Sequence, residues 1–137
     1  DIPSIDFCEV CVHPKGRTVN VYEMCASLDG LDIPELVKDF RARSESYCRG
    51  EFGEGCQIIP NLVIPPEPKM IMELGNHLDV LMEANVVITV YDPKSDKRGS
   101  CPMNEEFFQS LREDEDYKGM DDAEIFTDFL MNFVEIL

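Results

Sequence analysis

Hydrophobic and polar positions repeat with two different periods along this chain, and the switches between them mark its elements. Residues 5–13 and 17–26 alternate with period two. Val10 and Val12 stand against Cys11 and His13, then Val19 and Val21 against Asn20 and Tyr22. Successive side chains of a strand point to opposite faces, so this alternation predicts half-buried strands. The connector His13-Pro14-Lys15-Gly16-Arg17 holds both Pro and Gly, which makes the pair a predicted β-hairpin. Over 33–47 the period becomes helical, with Leu36, Val37, Phe40 and Tyr47 on one side. Asp32 and Glu35 have the spacing of a capping box, and Pro34 suits a first helical turn.

Residues 56–64, with Ile58, Ile59, Leu62, Val63 and Ile64, predict a strand broken or bulged at Pro60. Pro65-Pro66-Glu67-Pro68 follows as a stiff connector. Over 68–84, Ile71, Leu74, Leu78 and Leu81 keep the 3-4-3 spacing of one amphipathic helix. Residues 86–91 are a β-branched, almost wholly apolar run, which predicts a central strand, and 92–100 reads as a long polar loop. Asn104 caps a helix expected over 105–117, with Met103 and Phe108 at the spacing of a hydrophobic staple and Gly119 at its end. Asp121 and Glu124 open a last helix running to the C-terminus. Its Ile125, Phe126, Phe129, Leu130, Phe133, Val134 and Leu137 cover more than half the circumference, which suits deep burial or contact with both a core and a partner.

The predicted order is ββ-α-β-α-β-α-α. This is an α+β fold in a single domain over 1–137. The N-terminal hairpin and the further strands form one mainly antiparallel sheet, packed on one face by about four helices. A cysteine-rich β part (1–64) and a helix-rich acidic part (68–137) share one core, since each is small to stand alone.

Charge changes this picture more than composition does. The 137 residues hold 28 Asp+Glu against 12 Lys+Arg, a formal net charge of −16. Phosphate-binding proteins carry basic patches, so direct nucleic-acid binding and docking on anionic membranes are both disfavoured. No apolar run reaches the ~18 residues of a membrane span. The acidity is uneven: between Glu105 and Glu135 there are 11 acids against Arg112 and Lys118, a net −9. The cluster Glu113, Asp114, Glu115, Asp116, Asp121 and Asp122 surrounds the turn between the last two helices. It is the candidate partner-binding site, a negative patch that would steer the chain to a basic protein surface. The competing reading is a solvated face that keeps the protein soluble.

The cysteines are Cys8, Cys11, Cys25, Cys48, Cys56 and Cys101. An even number in a small chain that begins Asp1-Ile2-Pro3 predicts a disulfide framework in a processed, secreted product. Cys48 and Cys56 flank a short glycine-rich segment and form the one locally plausible pair. Zinc at Cys8, Cys11, His13 and Cys25 is the alternative, but no second closely spaced pair completes such a site. A redox role for the Cys8/Cys11 motif needs a strand-to-helix turn, and the motif lies inside a predicted strand.

Catalytic signals are sparse. His13 and His77 are the only histidines, and neither has a nucleophile in a recognisable pattern. No nucleophile elbow, phosphate-binding glycine loop, dinucleotide fingerprint or zinc-protease motif occurs. The segment from Asp114 begins like a calcium loop, then places Lys118 and Ile125 where ligands belong. No cofactor or metal is expected. The leading expectation is therefore a small secreted, disulfide-stabilised acidic protein acting by protein–protein binding, as an effector, antagonist or ligand. An intracellular acidic inhibitor that mimics nucleic acid in a basic groove is the alternative, and an unrecognised small hydrolase the second.

Overall fold

A computed structural model of the chain describes residues 7–13 and 15–136, apart from the side chains of Phe7, His13 and Ile136. Five strands form one sheet in the order β1-β2-β3-β4-β5. They are β1 (Phe7–His13), β2 (Gly16–Met24), β3 (Cys56–Ile64), β4 (Val87–Asp92) and β5 (Lys97–Pro102). The helices are α1 (Ile33–Phe52), α2 (Pro68–Gly75), α3 (Leu78–Ala84), α4 (Glu105–Arg112) and α5 (Asp122–Ile136), with a 3-10 turn at Glu115–Tyr117.

The α+β fold and the hairpin are as expected, but the sheet is mixed rather than mainly antiparallel. β1–β2 and β4–β5 pair antiparallel, while β2–β3 and β3–β4 pair parallel. The cause is the connections. α1 carries the chain from the end of β2 back to the start of β3, and α2 with α3 does the same between β3 and β4. Both crossovers step the same way across the sheet. With the right-handedness that such crossovers obey, both sets of helices therefore land on one face.

That face is the core. Val19 and Val21 of β2, Leu62 and Ile64 of β3, Ile88 and Val90 of β4 and Cys101 of β5 are buried on it. They meet Val37 and Phe40 of α1, Ile71 and Leu74 of α2, Leu81 of α3, Phe108 of α4 and Ile125, Phe126 and Leu130 of α5. One cluster thus joins both parts of the chain.

Four local readings change. α1 runs to Phe52 instead of stopping near 47, because Phe52 turns back edge-on to Tyr47 at 6.4 Å and keeps the last turn on the protein. The helix expected over 68–84 is two, broken at Asn76 and His77. Gly75, the last residue of α2, sits where a Cβ would lie 3.2 Å from Thr127 Oγ1, so the helix ends tight against α5. The helix expected to reach 117 stops at Arg112. Asp114 instead accepts from the Asp116 N–H at 2.9 Å, a local bond that competes with the helical one and starts the 3-10 turn. Finally, β5 occupies part of the segment read as a loop.

The structure does not show the expected disulfide framework. All six cysteines are free, and no pair stands at bonding distance. Strand parity explains part of this, since Cys8 and Cys11 are three residues apart and point to opposite faces of β1. Burial pushes the Cys101 thiol up to about 12. Burial, with Cys8 and Cys56 nearby, pushes Cys48 to about 11. The thiolate is the reactive form, so a disulfide reagent at about pH 8 should modify exposed Cys11 fast and leave Cys48 and Cys101 untouched until unfolding. Mass mapping of labelled peptides against time checks this; early labelling of Cys101 would contradict the packing.

Candidate functional site: the uncovered face of the sheet

Because the helices share one face, the other face of the sheet carries side chains that the core does not use. Parity assigns them. Tyr22 and Met24 of β2, Ile59 and Val63 of β3, and Val87 and Tyr91 of β4 all point away from the helices. Among the described residues, none of these six joins the hydrophobic core cluster under the helices. Register lines them up across strands: Met24 pairs with Val63 and Val63 with Thr89, while Tyr91 pairs with Arg98 of β5.

A concavity of about 560 Å³ lies on this face, lined by Glu9, Tyr22, Met24, Val63, Thr89, Tyr91, Asp96 and Arg98. Its floor is Val63 and Thr89, both buried, and Met24 stands 56% exposed at its side. Polar groups on the floor satisfy each other. Thr89 and Ser100 share a hydrogen bond of 2.8 Å, and Asn61 donates to the Ile59 carbonyl at 2.9 Å and to Asn20 Oδ1 at 3.4 Å. The Tyr91 hydroxyl donates to Asp96 Oδ1 at 2.8 Å, a bond that holds its phenol pKa above the ordinary value. Tyr22 is raised by burial and by Glu9, with Arg98 acting in the opposite sense. Both tyrosines therefore stay neutral at physiological pH, each offering an apolar ring and a polar tip. Glu9, Asp96 and Arg98 form a charged rim. Tyr, Met and Arg with a polar rim is the composition of protein-recognition patches.

The acids of the turn that the sequence singles out are mostly exposed, and most of them also have partners within the chain. Asp121 and Glu124 cap α5 reciprocally, the Glu124 N–H donating to Asp121 at 2.9 Å and the Asp121 N–H to Glu124 at 3.2 Å. Asp114 caps the 3-10 turn, Glu113 accepts from Gln109 at 3.3 Å, and Glu115 pairs with Lys118 at 3.0 Å. Asp122 takes two bonds from Arg112, which also holds Glu105 and so ties α4 to α5. Asp116 remains at the exposed surface. Five of these six candidate acids thus have a structural task, and the turn is a capped connection as much as a patch.

Arg112 gives a pH prediction. Its hydrogen bonds hold both Asp122 and Glu105 below their ordinary carboxylate values. A lowered folded-state pKa adds stability above the unfolded value, which is lost as pH falls through the folded one. Protonation also relieves the repulsion of the net charge, so the variant comparison isolates the pair. Arg112→Gln should cost stability at pH 7, and its difference from the native chain should shrink between about pH 5 and pH 2. Urea titrations across that range check it.

Of the other candidates, His77 is half-buried at the break between α2 and α3, where its backbone N–H donates to the Leu74 carbonyl at 3.0 Å. The His13 side chain lies outside the described residues. Among the described residues no three metal-capable side chains come together, and no helix is long and apolar enough to cross a membrane. Compared with protein families, curated proteins and solved structures, the chain matches none.

Proposed function

We propose that this chain is a binding module for another protein and that the uncovered sheet face is its docking surface. One observation carries the reading: among the described residues, Tyr22, Met24, Ile59, Val63, Val87 and Tyr91 lie on one face outside the helix-covered core cluster, with Val63 buried as its floor and Met24 56% exposed. Contiguous apolar surface on a folded domain marks an interaction site more often than scattered single residues do. Aromatic side chains with a polar tip supply contact area at low entropic cost. The net charge of −16 selects a partner whose own surface is apolar at the contact and basic around it.

The test is selection from a displayed peptide library on the immobilised protein, followed by affinity measurement on variants. Met24 is 56% exposed, so Met24→Glu leaves the fold intact. It should weaken selected peptides at least ~10-fold, a loss of about 1.4 kcal/mol. Tyr91→Ser should act in the same direction. Asp116→Asn, at the acidic turn, should change affinity by less than about twofold. Peptides that ignore Met24→Glu but are lost on Asp116→Asn, and that dissociate steeply as salt rises, would return the reading to the acidic turn.

A further inference from the structure

The two edges of the sheet are built differently. β5 is guarded: it is six residues long, begins with exposed Lys97 and Arg98, ends at Pro102, and is covered on its core face by Phe133 of α5. Charges, proline and a covering element are the devices that stop an edge strand from pairing further. β1, at the other edge, has seven residues and a single charged side chain, Glu9. α1 lies over β3 and reaches β2, and of the described β1 side chains only Cys8 packs against the core cluster. Val10 is consequently 38% exposed and Val12 77% exposed, on the face that would otherwise be core.

We propose that β1 pairs antiparallel with β1 of a second copy of this chain, joining two five-stranded sheets into one across a two-fold axis at Val10. Charge selects the second copy as the occupant. In a chain of net −16, the hairpin from Phe7 to Met24 holds Glu9 and Glu23 against Lys15 and Arg17 and sums to zero. Two copies can meet there without the repulsion that acts elsewhere on the molecule. The register about Val10 is self-complementary. Val10 faces Val10, Cys8 faces Val12, and Glu9 faces Cys11, so no like charges stand opposite each other. The exposed valines of both copies then form one continuous strip, as an isologous interface requires. This surface is an edge of the sheet and does not depend on the uncovered face.

Sedimentation equilibrium of the purified chain over roughly 10 μM to 1 mM, at low and at ~0.5 M salt, tests the proposal. The expected result is a species of twice the 15.6 kDa monomer, with dimer favoured as salt screens the remaining repulsion. Val12→Lys, at a position too exposed to disturb folding, should raise the dissociation constant at least ~10-fold. A monomer throughout the range would overturn the proposal. So would a dimer indifferent to Val12→Lys, and one lost on Met24→Glu instead would place self-association on the uncovered face.

Discussion

Phe126→Ala is expected to lower the free energy of unfolding by about 3–5 kcal/mol, the cost of removing a fully enclosed aromatic ring and leaving its cavity. Phe126 is 0% exposed, with Ile125 and Leu130 of α5 equally enclosed. Its ring edge lies 3.5 Å from where a Cβ on Gly75 would stand, so it fills the crossing of α2 and α5. A domain of ordinary stability has only about 5–15 kcal/mol to lose, so the variant should unfold at a far lower urea midpoint with an unchanged slope. Phe129, half-buried and edge-on to Phe107 and Phe133 at 5.4 and 5.3 Å, should cost less when truncated. Equal effects at the two positions would mean that α5 is rotated from the placement described.

The second large effect is at Gly99. Its backbone is ordinary for a strand, so nothing conformational demands glycine there. Space does: a Cβ at this position would lie 2.1 Å from Phe133 Cγ and 2.3–2.4 Å from the ring's two Cδ atoms. Those are the root atoms of the side chain, so the ring cannot evade by bending at its tip. Gly99→Ala should therefore cost about 1–3 kcal/mol as an overpacking change. Phe133→Ala should also destabilise, by loss of packing. In the double variant the alanine methyl enters space the ring has left, so the two effects should fall short of their sum by about 1 kcal/mol or more. Simple additivity would remove the claim that α5 lies on β5.

Gly99 also shows why part of this fold was hidden. Strand patterning is read from apolar side chains at alternate positions, and β5 supplies its core face with Gly99 and Cys101. The missing side chain is Phe133, 34 residues later in the chain. No local pattern reports a partner at that distance. The helix starts were legible for the opposite reason. Asp32 accepts from the Glu35 N–H at 3.2 Å and Asn104 from the Phe107 N–H at 2.8 Å, so each signal and its partner lie within one turn. The parallel pairings follow from the two helical crossovers that the patterning predicts, because each returns the chain to the end of the sheet where the preceding strand began.

The uncovered face was half legible. Period-two alternation gives each strand two faces, and Tyr22 beside Asn20 read as the polar side of β2. Residues 86–91 were apolar at nearly every position, so β4 looked buried on both faces. What turns Tyr22, Met24, Val63 and Tyr91 into one surface is topology, which brings residues 69 positions apart onto adjoining rows. The acidic turn stands out because charge is conspicuous in composition, and five of its six carboxylates also hold partners within the chain: Asp114 and Asp121 as caps, Asp122 with Arg112, Glu115 with Lys118 and Glu113 with Gln109.

Docking of partners on the uncovered face is open to amide hydrogen exchange with and without a bound, library-selected peptide. Slowed exchange or shifted signals are expected at Tyr22–Met24, Asn61–Val63 and Thr89–Tyr91, with residues 113–122 unchanged. Protection confined to residues 113–122, with β2, β3 and β4 unaffected, would contradict it.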